Sequence, residues 1–99
     1  MSFNVKTTRV FLEQVHELSK DARKLVGSKI DLIKENPFRF KRIHSRKFAK
    51  VFRIRLSLDG KETRLVYLVM APDVVIACLL ERKNDYKDLE QMLEKALEE

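Results

Sequence analysis

Apolar residues recur along the first third of the chain with the spacing of helices. Residues 3–7 alternate between apolar and polar side chains and predict a short opening strand. Beyond them, apolar residues return every three or four positions, which predicts amphipathic helices over residues 8–19 and 20–35. Asn36 and Pro37 end the second helix, because a residue that precedes proline is disfavoured in helical geometry. We expect the two helices to form an α-hairpin.

The following segments change to the two-residue period of a sheet. In Val51–Leu58, the first predicted strand after the helices, one set of side chains is apolar and the alternate set includes two arginines. Asp59 and Gly60 then form a hairpin signal, so that Thr63–Met70 is the second strand of an antiparallel pair. Val74–Leu80 is a third strand, apolar nearly throughout and therefore predicted to be central and covered on both faces.

A last helical stripe closes the chain and completes the predicted fold. The stripe consists of Leu89, Met92, Leu93, Ala96 and Leu97. The order is then β-α-α-β-β-β-α: a short N-terminal strand, an α-hairpin, a three-stranded antiparallel meander and a C-terminal helix. This order predicts an α+β fold in a single domain over residues 1–99. We expect two helices to pack on one face of the sheet and to leave the other face partly open.

Positive charge is concentrated in the middle of the chain. The net charge is +6, yet residues 39–64 alone hold ten Lys and Arg against two Asp and Glu. Such a density attracts phosphates, as in RNA, or an acidic protein. The basic connection at residues 38–49 and its border contribute three predicted RNA-binding residues, Arg46, Lys47 and Lys50. Mixed charge also serves solubility alone, but a solubilising surface normally intersperses both signs.

The composition excludes several classes of site. Two histidines and one cysteine are too few ligands for an ordinary structural zinc site, so we predict neither a metal nor a small-molecule cofactor. Cys78 has no partner for an internal disulfide and, on the predicted third strand, is expected in the core. Neither a signal peptide nor a membrane-spanning run is recognisable, which predicts a cytoplasmic protein without membrane contact.

Several basic residues are predicted to meet on the sheet. Arg53 and Arg55 point to the same side of their strand, and Arg64 begins the neighbouring strand across the hairpin. Arg82 and Tyr86 follow the third strand where it leaves the sheet. On one concave patch, guanidinium groups would bind phosphate through paired hydrogen bonds and the tyrosine would stack on a base. Each arginine taken alone is better explained as the solvent-facing side of a strand, and only the cluster makes a binding site an equally good explanation.

The segments that carry these residues resemble the RelE/ParE toxin superfamily. They are Phe52-Arg53-Ile54-Arg55-Leu56, Arg64-Leu65-Val66-Tyr67 and Arg82-Lys83-Asn84-Asp85-Tyr86. In that family a strand reads aromatic, basic, apolar, basic; an Arg-[Leu/Val]-[Val/Ile]-Tyr strand follows a hairpin, and a late arginine precedes a tyrosine. The strand and α-hairpin of residues 3–37 match the family's beginning, so the resemblance extends over nearly the whole chain.

The resemblance implies an mRNA interferase of the RelE type, an endoribonuclease. Such a toxin enters the ribosomal A site, cuts mRNA by attack of a 2′-hydroxyl on the adjacent phosphate without a metal ion, and is held inactive by an antitoxin. The implied partners are mRNA, the ribosome with its rRNA, and a cognate antitoxin protein. By position, Arg53 and Arg55 correspond to the family's basic strand pair and Arg64 to its phosphate-clamping arginine. Arg82 and Tyr86 correspond to its late arginine and its C-terminal tyrosine.

The general base departs from the family's pattern. RelE toxins often carry lysines in the strand pair, and one of them is thought to act as the base, whereas both positions here hold arginine, a residue type that does not give up its proton in proteins and is a poor base. Other branches use a glutamate and a histidine in this region, which makes Glu81 and His44 candidates. The alternative is that the cleavage reaction is weak or lost.

Two further functions remain open on the same fold. A ParE-like toxin inhibits DNA gyrase without cleaving RNA. The missing lysine favours it slightly, whereas the retained Arg64, Arg82 and Tyr86 weigh against it. A non-toxic relative would bind only RNA or a protein partner. Two apolar features are similarly open: the last helix packs on the sheet or docks an antitoxin helix, and three phenylalanines anchor the core or stack bases. These are Phe38, Phe40 and Phe48.

Overall fold

In the computed structural model, which describes residues 3–81 and 89–98, the elements follow the predicted order with one addition. The addition is a strand of three residues inside the basic connection, too short to show alternation in the sequence. The elements are β1 (Asn4–Thr7), α1 (Arg9–His16), α2 (Lys20–Glu35), β2 (Lys41–Ile43), β3 (Val51–Leu58), β4 (Lys61–Met70), β5 (Asp73–Glu81) and α3 (Leu89–Leu97).

The strands form one mixed sheet in the order β1-β5-β4-β3-β2. β3, β4 and β5 form the predicted antiparallel meander. β1 pairs in parallel with β5, and β2 pairs antiparallel with β3, so the meander is the centre of a five-stranded sheet. The α+β class is confirmed, and β5 is an interior strand, as its apolar sequence predicts.

Alternate side chains of the sheet pack into two apolar layers. α1 and α2 cover one face, where Phe11 and Val26 pack with alternate residues of β3, β4 and β5. α3 covers part of the other face, where Leu89 and Leu93 pack with a cluster that includes Cys78. The face that we expected to stay partly open is therefore covered by α3 over this cluster, and the stripe of α3 packs within the chain. Cys78 is buried as predicted, and burial raises the pKa of its thiol to about 12.

Two polar side chains, those of Gln14 in α1 and of its N-cap Thr8, form hydrogen bonds with the backbone of the second half of β5. β1 ends opposite Ile76, so beyond that residue no described strand pairs with this edge of β5. The hydroxyl of Thr8, which also caps α1, donates a hydrogen bond to the carbonyl of Ala77 at 2.6 Å. The side-chain amide of Gln14 donates to the carbonyl of Leu79 at 2.8 Å and accepts from its N–H at 2.7 Å. The three bonds satisfy backbone groups that burial would otherwise leave unpaired.

The tip of the β3–β4 hairpin is fastened to the start of α2. Asp59 and Gly60 form the predicted turn, with φ of 51° and 80°, the left-handed geometry of a tight hairpin. The carboxylate of Asp59 accepts hydrogen bonds from the hydroxyl and, at 3.0 Å, from the N–H of Ser19. Ser19 is extended and caps α2, which is why α1 ends at His16 instead of continuing to residue 19.

We expect Asp59→Asn to lower the thermal midpoint of unfolding at neutral pH. The hydrogen bonds from Ser19 hold the pKa of Asp59 below its ordinary value. A carboxyl whose pKa is lower in the folded state stabilises that state above its unfolded pKa of about 3.9, and this contribution is lost as the pH falls below it.

Thermal unfolding followed by circular dichroism from neutral to acidic pH measures this effect. The variant should lose less stability on acidification than the wild type does. Asp31→Asn, at an exposed position within α2, is the matched control. Superimposable pH profiles for Asp59→Asn and the wild type would contradict the role of Asp59.

Candidate nucleic-acid interface

Arg53, Arg55 and Arg64 lie on the side of the sheet that α3 partly covers, which we call the arginine face. Arg55 and Arg64 are direct cross-strand partners in β3 and β4, and Arg53 lies two residues before Arg55. Arg55 is exposed and Arg53 is half-buried, whereas Arg64 is only 6% exposed. The structure thus brings together three of the predicted site residues, with Arg64 beneath the surface.

The strand β2 adds a lysine that the sequence pattern did not reveal. Lys41 is the direct cross-strand partner of Arg53, and its side chain is exposed. Residues that face each other across an antiparallel pair lie on the same side of the sheet. Phe40 and Ile43 pack into opposite apolar layers with two basic residues between them, so the sequence shows no apolar–polar alternation that could have revealed β2.

Glu62 is a second residue of the arginine face that was not predicted. It is the cross-strand partner of Ser57 and lies one row beyond the pair of Arg55 and Arg64. Its side chain is exposed. The two-residue spacing between Glu62 and Arg64 places them on the same side of β4, and that spacing is visible in the sequence.

The two predicted candidates for the general base lie elsewhere. Glu81 faces Thr63 and lines a cavity of about 300 Å³ with Gln14 of α1, on the face opposite to the arginines. Its carboxylate forms an ion pair with Lys61 at 3.5 Å. His44 is exposed in the loop after β2, outside the rows of arginines. The structure therefore places Glu81 on the face opposite to the arginines and His44 in the loop after β2, outside the strands that carry the arginines.

The three predicted RNA-binding residues line a separate, shallow depression. Arg46, Lys47 and Lys50 are all exposed, and with His44 they border a volume of about 360 Å³ in the loop between β2 and β3. Phe48 of this loop packs into the same apolar layer as α3. The depression therefore lies on the same side of the sheet as the arginine face, at the end nearer α3.

Carboxylates of α3 hold this basic loop in place. Glu90 accepts hydrogen bonds from the hydroxyl of Ser45 at 2.8 Å and from the N–H of Arg46 at 2.9 Å. These bonds keep the pKa of Glu90 below its ordinary value. Glu94 forms an ion pair with Lys47, so part of the charge of that lysine is offset within the chain.

The phenylalanines of the basic connection are mainly anchors. Phe40 and Phe48 are partly buried and pack against the two apolar layers, which confirms the core assignment for both. Phe38 is 51% exposed. Its ring nevertheless meets those of Phe3 and Phe52 edge to face, with centroids 6.0 and 5.9 Å apart. Only Phe38 keeps a large exposed surface among the three.

The remaining predictions concern Arg82, Tyr86, a metal site and a membrane-spanning segment. Arg82 and Tyr86 lie outside the described residues, and their place in the patch stays a prediction. Within residues 3–81 and 89–98, no three His, Cys, Asp or Glu side chains gather so as to hold a metal ion. No helix in the described chain is both long and apolar enough to cross a membrane.

The sequence matches a known family over most of its length. A family model described as "Phage derived protein Gp49-like (DUF891)" matches residues 13–99. The chain belongs to this Gp49-like family. No curated protein matches the sequence of this Gp49-like protein.

Among solved structures, the Gp49-like protein is similar to the E. coli toxin RelE. A mutant of RelE in the free state has a TM-score of 0.69 and 18% identity, over 99% of this chain and 97% of that chain. The intact E. coli RelBE toxin–antitoxin complex has a TM-score of 0.63 and 20% identity, over 79% of this chain and 94% of that chain. The fold of the Gp49-like protein is therefore RelE-like, with three helices and a five-stranded sheet in residues 3–81 and 89–98.

Proposed function

We propose that this Gp49-like protein is a toxin of the RelE type, which cleaves mRNA on the ribosome and which a cognate antitoxin protein holds inactive. The observation that carries the proposal is the arginine face, where four cations form two adjacent rows, each row being a pair of residues that face each other across neighbouring strands. The rows are Lys41 with Arg53, and Arg55 with Arg64. The RelE-like fold and its similarity to a toxin–antitoxin complex support the same function and partner. We also propose that the protein is a member of the RelE/ParE superfamily and acts in the cytoplasm.

The chemistry of RNA cleavage suits the residues of this face. Attack of a 2′-hydroxyl on the adjacent phosphate adds negative charge to the phosphorus oxygens in the transition state. Guanidinium groups stabilise that charge through paired hydrogen bonds and keep their own charge at any relevant pH. Arg55 carries the exposed guanidinium of its row, and its cross-strand partner Arg64 is buried. An arginine cannot accept the proton of the 2′-hydroxyl, so another group must do so.

Glu62 is the residue that we assign to this proton transfer. Its carboxylate lies one row from Arg55 and Arg64 and is exposed to solvent. The 2′-hydroxyl proton passes to Glu62 as the bond from the 2′-oxygen to phosphorus forms. The bond from phosphorus to the 5′-oxygen breaks, and that oxygen takes a proton from water. The products are a 2′,3′-cyclic phosphate and a 5′-hydroxyl, and Glu62 returns its proton to the solvent.

A reconstituted translation reaction with a defined mRNA tests the proposed function. We expect cuts that require ribosomes and that leave 2′,3′-cyclic phosphate ends, mapped by primer extension and end-group analysis. A parallel gyrase supercoiling reaction contains the same protein. Intact mRNA together with inhibited supercoiling would favour a ParE-like toxin instead. Intact mRNA with active gyrase would favour a non-toxic relative that only binds.

Glu62→Gln should reduce mRNA cleavage by about 10²–10⁴-fold, because it removes the proton acceptor. The position is exposed, so the thermal midpoint should stay close to that of the wild type. Glu35→Gln, at an exposed position near the end of α2, removes one carboxylate on the other side of the sheet and should cleave normally. Equal cleavage by Glu62→Gln and the wild type would remove Glu62 from the reaction and leave the toxin proposal standing.

A further inference from the structure

Two neighbouring rows of the arginine face each pair like charges. Lys41 lies directly opposite Arg53, and Arg55 lies directly opposite Arg64. Like charges placed opposite each other across a sheet destabilise it. No ion pair among the described residues offsets Lys41, Arg53 or Arg55. The pair of Lys41 and Arg53 is therefore costly in the free protein and becomes favourable when an anion lies above it.

The rows of the described sheet that flank these two rows of cations carry no further positive charge on this face. Beyond Arg55 and Arg64, the next row pairs Ser57 with the carboxylate of Glu62, which repels an anion. Beyond Lys41 and Arg53, the next row consists of Ile43, Val51 and Leu68, which pack in the apolar layer under α3. The four cations therefore form a block two rows deep, in which Lys41 and Arg55 are the exposed members.

The spacing of the rows suits consecutive phosphates of one strand. Two residues along a strand span about 7 Å, which is comparable to the distance between neighbouring phosphates in an extended polynucleotide. We infer that the arginine face binds two consecutive RNA phosphates, with the first on the row of Arg55 and the second on the row of Lys41 and Arg53. This inference rests on the proposed function for its choice of RNA, and it makes Lys41 a substrate-binding residue.

Two short RNAs that differ by one phosphate test the inference. A dinucleotide has one internal phosphate and a trinucleotide has two, and 2′-O-methyl groups prevent cleavage of either. Affinities are measured by NMR titration of the wild type, of Lys41→Met and of Lys24→Met. Lys24 is exposed on α2, on the other side of the sheet, so Lys24→Met removes the same charge away from the site.

The trinucleotide should bind the wild type more tightly than the dinucleotide does. Lys41→Met should weaken trinucleotide binding roughly tenfold, the effect of one lost charged hydrogen bond, and should leave dinucleotide binding within twofold of the wild type. Lys24→Met should change neither. The thermal midpoint of Lys41→Met should equal or exceed that of the wild type, because a like-charge pair is removed.

Two results would overturn the inference. One is an equal effect of Lys41→Met on both oligonucleotides, and the other is no effect on the trinucleotide. These measurements need neither ribosomes nor cleavage. Intact mRNA in the translation reaction, together with a loss confined to the trinucleotide, would therefore reject mRNA cleavage and retain the two-phosphate site.

Discussion

Arg55→Ala should cleave mRNA about 10²–10³-fold more slowly than the wild type in the reconstituted translation reaction. This is the usual effect of removing one hydrogen-bond donor to a developing negative charge. Arg55 is exposed on β3, so its truncation leaves no cavity in the core. Arg64 is a less informative target, because it is only 6% exposed and its removal would alter packing as well as charge. The rate of cleavage at a mapped site, at equal protein concentration, is the measurement.

Two matched variants separate charge from geometry at Arg55. Arg55→Lys keeps the charge and loses the paired hydrogen bonds of the guanidinium, so its rate should fall between those of the wild type and Arg55→Ala. Lys24→Ala removes one charge on the opposite side of the sheet and should cleave at the wild-type rate. If Arg55→Ala cleaves as fast as Lys24→Ala, the arginine face does not perform the reaction.

Tyr67→Ala should destabilise the folded state by about 3–5 kcal/mol, the usual cost of removing a large buried aromatic ring. Tyr67 is fully buried, and its ring stacks on that of Phe52 with centroids 5.6 Å apart. Its hydroxyl donates a hydrogen bond to the carbonyl of Pro37 at 2.6 Å. For a domain of this size, each kcal/mol lowers the thermal midpoint by roughly 4–8 °C, so calorimetry measures the effect directly.

Tyr67→Phe isolates the hydroxyl of the same residue. It keeps the ring and leaves the carbonyl of buried Pro37 without this donor, which should cost about 1–3 kcal/mol. Burial raises the pKa of the Tyr67 hydroxyl well above its ordinary value, so this tyrosine stays protonated and structural. Equal losses for the Phe and Ala variants would show that the ring contributes little and would contradict the packing argument.

Local periodicity explains the features that could be predicted from the sequence. The alternation in Val51–Leu58 correctly separates Phe52 from Arg53 and Arg55, because successive side chains of a strand point to opposite faces. The turn at Asp59 then determines the pairing that places Arg64 opposite Arg55. These features depend on neighbours within about ten residues, and such information is present in the chain itself.

The remaining features depend on contacts between distant segments. β2 is recognisable only through its pairing with β3, and its three residues carry almost no pattern of their own. Lys41 was therefore assigned to a loop and its position beside Arg53 was missed. The burial of Arg64 is likewise not specified by the alternation of its strand, and Glu81 lies on the opposite face through its pairing with Thr63 of β4. An isolated strand pattern does not specify which neighbour lies above it.

The bonds from Thr8 and Gln14 to β5 also influence how copies of the protein meet in concentrated solution. An open row of strand N–H and carbonyl groups recruits strands from other molecules, and a long apolar strand such as β5 would be a strong template. The side chains of Thr8, the N-cap of α1, and of Gln14 use the carbonyl of Ala77 and both backbone groups of Leu79, and they remove that template. The outer strands of the described sheet, β1 and β2, have four and three residues, which is a short stretch for strand exchange. A sheet rich in Val, Ile and Leu therefore resists fibre-like association through polar side chains on the helix beside it.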